Sequence, residues 1–372
     1  MNNIKKIKKA NEFTHNMIKE IFEQPAVIEK LIAEHVNLRQ KKVIFKEFGI
    51  LAKKIKKINR ILFLACGSSY HAGIIGKYML EEYAGLASEV EFADEFISRK
   101  IKLDNKTLVI VISQSGATKD DIKAVKKAKK QKALVISITN KVNSKLDNID
   151  DITIYNLAGE EKALAATKTF TSQIVLMAFL TIYIGQSLRK ISPVTRGRLI
   201  REITRLPDKI NKILKQNINF QIIANKYYKL NNLLILGKNY QYPIAMEAAL
   251  KFKETTYIHA EGFAAGEFAH GPLAISGRKH LCMVFAPIDS NYKETKQLIK
   301  KLKSLKIKII ALTNQGNRQL IRYTDRAIYV PKTLNLFTPI ISIVPIQLLV
   351  YHVAVLKGIN PDKSRNLKKF VE

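Results

Sequence analysis

One strand–helix pattern runs through this chain twice, and that repeat limits the fold more than any other feature. The apolar run RILFLACGSS (60–69) is followed by the helical stretch YHAGIIGKYMLEEY. TLVIVISQSGAT (107–118), KDDIKAVKKAKK, ALVISITN (133–140) and DITIYN (151–156) come next. From residue 232 the order returns as NLLILGKNY, PIAMEAALKFKE, HLCMVFAPIDSN (280–291), YKETKQLIKKLKSL, IKIIALTN (307–314) and DRAIYVP (325–331). ALVISITN and IIALTN end alike, 174 positions apart, and Gly67 and Gly237, each after a first strand, lie 170 apart. Short, wholly apolar strands alternating with amphipathic helices predict parallel sheets covered on both faces. The expected fold class is therefore α/β, with two tandem doubly wound parallel-sheet domains. The expected divisions are an N-terminal helical segment over 1–44, domains over 45–192 and 193–360, and a tail over 361–372. A helix near 12–36 precedes the domains, and helices near 166–189 and 194–216 join them.

The 372 residues suffice for two domains, and 47% hydrophobic content can fill two cores. The formal charge is +32. Its lysine runs, KKIKKINR (53–60) and KAVKKAKKQK (123–132), fall on or beside amphipathic helices and do not alternate with aromatics. They read as solvated faces with no nucleic-acid motif, although a positive field would help recruit a phosphorylated substrate. The two cysteines, Cys66 and Cys282, sit in apolar runs and read as small buried side chains of a reduced, intracellular protein. No Cys/His spacing suited to a metal is present. The N-terminus lacks an apolar signal core, and the apolar run 174–185 is short and interrupted for a bilayer span, so a cytoplasmic protein with no membrane segment is expected.

In open parallel sheets ligands sit beyond the carboxyl ends of the strands. CGSSY and SQSGAT both lie there, each ahead of a helix whose N-terminus offers free N–H groups. Gly67 and Gly116 let the backbone approach a ligand, Ser69, Ser113, Ser115 and Thr118 bring hydroxyls, and Gln114 an amide. Neither GxxxxGK[ST] nor GxGxxG occurs, so a sugar phosphomonoester suits these loops better than a nucleotide, and no cofactor is expected. The plainer alternative is that these residues cap helices and turn corners. The corresponding loop of the second copy reads APIDSN, which points to one site built unequally by the two halves.

EAALKFKE (247–254) sets Glu247, Lys251 and Glu254 at i, i+4 and i+7, on one helical face. Two readings fit: a solvated salt-bridge face, or a site that needs a carboxylate proton shuttle with charges to tune it. His270 lies in EFAHGP, a loop bounded by Gly and Pro.

Several stretches resemble a known family. CGSSYHAG, SQSGAT and AATKTFTSQ look like the signature of the sugar isomerase (SIS) domain. QYPIAMEAALKFKETTYIHAEGFAAGEFAHGPLA and the ending PDKSRNLKKFVE resemble the isomerase half of glucosamine-6-phosphate synthase (glutamine–fructose-6-phosphate aminotransferase, isomerizing), from about residue 15 onward. The resemblance implies conversion of fructose 6-phosphate and ammonia to glucosamine 6-phosphate. It implies phosphate anchoring by Ser69, Ser113, Gln114, Ser115 and Thr118, and further substrate contacts from Gly67, Ser68, Ala165 and Ala166. Glu254 would shuttle the proton, with Lys251 and Glu247 setting its charge environment. His270 would open the sugar ring in the partner subunit's site, which implies a homodimer. Lys369, with Lys368 beside it, would form a Schiff base with the open-chain ketose. Glu261 is a second-rank candidate for a structural or channel role.

The chain departs from the family pattern at three points. Asn2 stands where a glutaminase nucleophile would be cysteine, and a glutaminase domain is not in the sequence, so ammonia would come from solution or from a separate glutaminase subunit. Ala166 replaces the usual serine, and FVE after Lys369 is a shortened ending. The SIS-type glucosamine-6-phosphate deaminases, which run similar chemistry in reverse, are the alternative. A non-catalytic sugar-phosphate sensor is the reading from a different class.

Overall fold

The computed structural model describes residues 13–277 and 280–369. Helix α1 (Asn16–His35) leads into β1 (Arg60–Ala65), α2 (Gly67–Ala84), β2 (Ala87–Phe92), β3 (Thr107–Ser113), α3 (Lys119–Lys130), β4 (Leu134–Thr139) and β5 (Ile152–Tyr155). Helices α4 (Lys168–Ser187), α5 (Pro193–Ile203), α6 (Leu206–Leu214) and α7 (Asn217–Tyr227) connect to the second repeat. That repeat is β6 (Asn232–Gly237), α8 (Gln241–Thr256), β7 (His259–Ala264), β8 (Leu281–Phe285), α9 (Tyr292–Ser304), β9 (Lys308–Asn314), β10 (Arg326–Val330) and α10 (Thr338–Leu356).

Strand order is β2-β1-β3-β4-β5 in the first sheet and β7-β6-β8-β9-β10 in the second, and all pairings within both are parallel. The two orders are one topology repeated, with the chain reversing direction across the sheet between the first and third strands of each. β3 and β4 are buried along their whole length, which is why both read as unbroken apolar runs. β2 and β7 carried no such run: ASEVEF and HAEGFA are half-exposed edge strands of mixed polarity.

Three expectations change. The helix expected over 194–216 is two helices, because the missing N–H of Pro207 suits the first turn of a new helix better than the interior of a long one. The apolar run at 174–185 belongs to a 20-residue helix. By length and composition α4 and the segment Asn335–Leu356 could each cross a bilayer, but 89% of each most apolar window is buried within the protein. These are the central helices of the two domains, packed against α2 and α8 respectively. Finally, Cys282 is buried, but Cys66 is exposed at the end of β1. The β strand ends there, and the following turn opens toward solvent. The first twelve residues and the FVE ending lie outside the described residues.

Candidate active site

The equivalent helices α2 and α8 cross where the two domains meet. Each leaves the first strand of its sheet at the reversal point, and they cross antiparallel: the start of α2 meets the second half of α8, while Tyr240, just ahead of α8, donates to Glu82 near the end of α2. From α8, Glu247 and Lys251 enter this contact with 0% and 1% side-chain exposure, which rules out a solvated salt-bridge face. Lys251 Nζ lies 2.7 Å from Glu254 Oε2 and 3.3 Å from Glu247 Oε1. From α2, Ser68 Oγ donates to Glu247 at 2.9 Å and accepts from Lys251 at 3.1 Å, and His71 Nδ1 lies 2.7 Å from Glu247 Oε2.

Burial works to raise the Glu247 carboxyl, but the Lys251 ammonium and hydrogen bonds from His71 and Ser68 outweigh it, holding Glu247 below its ordinary value. Burial likewise works to lower Lys251, and the two carboxylates outweigh it and raise that amine. Both groups are therefore fixed in their charged forms. Glu254, with 19% side-chain exposure, is the one of the two carboxylates with open access. It also lines a cleft of about 370 Å³ whose other wall is the tail, residues 364–367.

The loops of the first domain lie at the ends of β1 and β3. Gly67 and Gly116 hold φ of +56° and +60°. At Gly116 a Cβ would also stand 2.2 Å from Ser144 Oγ, so glycine is required there twice over. The Gly116 N–H donates to Ser113 Oγ, the Ala117 N–H to Ser115 Oγ (both 3.2 Å), and Gln173 Nε2 to Ser69 Oγ (3.0 Å). Each oxygen accepts from within the protein, which leaves the Ser69 and Ser115 O–H groups as donors, while the Ser113 hydroxyl also bonds the buried Asp121 carboxylate. Gln114 and Thr118 are half-buried on the same loop. Ala165 is buried and Ala166 half-buried, just ahead of α4.

Lys369 reaches across from the tail to Glu161 Oε2 at 3.2 Å and to the Ala163 carbonyl. Its segment is held near α8 by Ser364 Oγ, which donates to the Glu254 carbonyl at 2.8 Å. His270 is exposed, and among the described residues it makes no hydrogen bond or ion pair with Glu247, Lys251 or Glu254. Glu261 lies on the edge strand β7, 3.8 Å from His259.

Sequence reasoning missed His71, Gln173 and Glu161. His71 stands three residues after Ser68, one turn along α2, so its alignment with Ser68 was visible, but its partner 176 positions away was not. Glu161 carried no signal beyond its place four residues ahead of AATK.

The SIS domain family matches residues 54–183 and 226–357. The chain is 39% identical over 368 residues to a glutamine–fructose-6-phosphate aminotransferase (isomerizing) of Chlorobaculum tepidum. It is 37% identical over 359 residues to a relative of the same name from Caldanaerobacter subterraneus. These alignments cover 99% and 96% of this chain but 60% and 59% of the relatives, so the chain spans about three-fifths of their length. The C-terminal domain of glucosamine-fructose-6-phosphate aminotransferase from Francisella tularensis superposes with a TM-score of 0.89 at 30% identity, covering 95% of this chain and 99% of that one. A glucosamine-6-phosphate deaminase of Thermotoga maritima shares the fold, with a TM-score of 0.74 at 24% identity over 96% of this chain and 99% of that one. With the family pattern matched in both repeats and a solved relative aligned almost end to end, the chain belongs to the SIS domain family.

Proposed function

We propose that this chain is a sugar-phosphate aminating isomerase that joins ammonia to fructose 6-phosphate and yields glucosamine 6-phosphate. The observation that carries the reading is the Glu247–Lys251–Glu254 array at the α2–α8 crossing, with one of its two carboxylates left accessible. In this reading the sugar phosphate is anchored by the hydroxyls of Ser69, Ser113, Ser115 and Thr118, the Gln114 amide and the N-termini of α2 and α3. Gly67 and Ser68 border the anchor, and Ala165 and Ala166 line the sugar.

The Lys369 amine forms an imine at C2 of the open-chain ketose, and ammonia displaces it there. Glu254 then takes a proton from C1 and returns it to C2, which turns the ketose imine into the amino aldose. The balance is fructose 6-phosphate plus ammonia giving glucosamine 6-phosphate plus water. Lys251 stays protonated and stabilises negative charge that develops on the sugar oxygens, and Glu247, with His71, holds Lys251 in place. His270, exposed in its own subunit, serves ring opening in a neighbouring copy, so a homodimer is the working unit. Ammonia comes from solution or from a separate glutaminase. The protein works in the cytoplasm.

Mass spectrometry of products tests this. The chain is incubated with fructose 6-phosphate plus ammonium, with fructose 6-phosphate plus glutamine, and with glucosamine 6-phosphate alone. Amination with ammonium, slowed about 10²–10⁴-fold in Glu254→Gln, is the expected result. Ammonia release from glucosamine 6-phosphate with negligible amination would reverse the direction to deamination. Turnover equal to that of Glu254→Gln in all three incubations would overturn the enzyme reading.

A further inference from the structure

The Glu161 carboxylate is fully buried (0% exposed) yet receives four donors besides the tail lysine: the N–H groups of Thr167 (2.9 Å) and Thr169 (3.1 Å) and the hydroxyls of Thr169 (2.6 Å) and Thr167 (3.4 Å). It occupies the anion position at the N-terminus of α4, where free N–H groups and the helix dipole favour negative charge. One oxygen, Oε2, also faces the Lys369 ammonium at 3.2 Å. A second acceptor for that ammonium, the Ala163 carbonyl, is fixed as firmly. Glu20 of α1 takes the N–H groups of Lys162 and Ala163, and the Leu164 N–H donates to the Asp362 carbonyl at 3.0 Å. Asp362 in turn caps α1, accepting from the N–H groups of Asn16 and Met17, both at 2.8 Å.

The tail therefore runs between two anchors. At Ser364 it is tied to the carbonyl of Glu254, the accessible carboxylate residue of the second domain. Five residues later Lys369 is seated on the first domain. Five residues reach at most about 18 Å, so the Lys369 backbone lies within that distance of the anchor beside Glu254.

We propose that Glu161, together with the Ala163 carbonyl, is a positioning residue: a prebuilt receptor that presents the Lys369 amine to the carbonyl carbon of the open-chain sugar phosphate. The inference rests on the reading of Lys369 as the imine-forming amine. In that step the Nζ–C2 bond forms and the C2–O bond breaks. The oxygen leaves as water with two of the three ammonium protons, and the protonated imine keeps the third. Glu161 supplies no atom to this exchange. It fixes where the amine stands when the carbonyl arrives.

The test is reductive trapping of the full chain with fructose 6-phosphate and cyanoborohydride, with the adduct located by peptide mass spectrometry. Glu161→Gln keeps an oxygen for the Thr167 and Thr169 N–H groups but removes the charge that holds the ammonium. Glu161→Asp keeps the charge on a shorter arm. The wild type is expected to trap the sugar on Lys369. Glu161→Gln is expected to trap at least about 10-fold more slowly at saturating sugar phosphate, a loss of roughly 1.4 kcal/mol or more. The half-saturating concentration should be unchanged, and Glu161→Asp should recover part of the rate. A wild-type chain with no adduct on Lys369 would overturn the imine reading and this inference with it. Trapping by Glu161→Gln at the wild-type rate would overturn the inference alone. So would a rise in half-saturation or a fall in thermal midpoint that accounts for the whole loss, because either would mean a purely structural role.

Discussion

The two domains share one topology, yet their reversal points differ. In the first domain the turn after β1 holds Gly67 at positive φ, with no atom within 4 Å of where its Cβ would stand, and the turn after β3 offers two serines and a threonine. In the second domain the equivalent glycine, Gly237, is there for the opposite reason. A Cβ on it would lie 2.0 Å from the Gln241 carbonyl oxygen, because the first turn of α8 closes directly over it. Lys238 from that turn pairs with Glu294 at the start of α9, and Asp289 stands in the second loop, accepting from the Asn291 N–H at 2.8 Å. One reversal point is open and rich in donors. The other holds an ion pair and a carboxylate of its own. Duplication repeats the backbone of the reversal point, and the side chains make the two turns chemically unlike. The second copy then contributes its helix α8 to the site of the first.

The largest effect should come from α8. In Glu247→Gln the buried Lys251 keeps one carboxylate partner instead of two, at a cost of about 3–5 kcal/mol by chemical denaturation. Removing the exposed counterpart in the second copy's own turn, with Glu294→Gln, should cost no more than about 1 kcal/mol. Equal losses would mean that the buried array is no more than another surface pair.

The glycines sharpen the contrast. Gly116→Ala and Gly237→Ala should each destabilise by about 1–3 kcal/mol, the first through left-handed backbone strain and the second through overpacking. In calorimetric titration Gly116→Ala alone should weaken fructose 6-phosphate binding. A matching loss in Gly237→Ala would break the assignment of one open cradle.

Ser113→Ala and Ser115→Ala should each weaken that binding on the order of 10-fold, as expected for a hydroxyl bonded to an anion. Asp289→Ser, which gives the second loop a hydroxyl in place of its carboxylate, should leave binding unchanged while Lys238 and Glu294 fill the turn.

The smallest effects concern pH. Burial, with Glu161 adding to it, pushes the Glu20 carboxyl from 4.5 up to about 7. The folded state thus holds this proton more tightly than the unfolded one. The linked stability is complete below about 4.5 and is lost as pH rises through about 7. Burial holds His352 of α10 at about 4 instead of 6.5, so its contribution is complete above 6.5 and is lost as pH falls through about 4. Thermal midpoints of Glu20→Gln and His352→Gln across this range should deviate from wild type with opposite slopes, by about 2–4 °C per kcal/mol of linked stability. Parallel slopes would mean that these groups do not dominate the titration on the two sides.

The sequence alone determined a good deal. The doubled strand–helix order, the parallel sheets and the stripe Glu247–Lys251–Glu254 were legible because each depends on spacing within one segment. The glycine- and hydroxyl-bearing loops after β1 and β3 could be located for the same reason, since a turn after an apolar strand is a local event. Edge strands β2 and β7 were not legible, because half-exposed strands lose the continuous apolar signal. Nor was the accessibility of Cys66, which depends on where β1 ends relative to the turn.

Tertiary structure alone decided what the local pieces meet. Whether the stripe faces solvent or a neighbour depends on α2 crossing α8, with Ser68 and His71 arriving from 179 and 176 positions away. Whether Lys369 is a loose end or a seated amine depends on Glu161, 208 positions earlier, lying buried at the start of α4. Hydrogen bonds and ion pairs of this kind act over about 3 Å, and no periodicity along the chain encodes which distant segment folding will bring within that range.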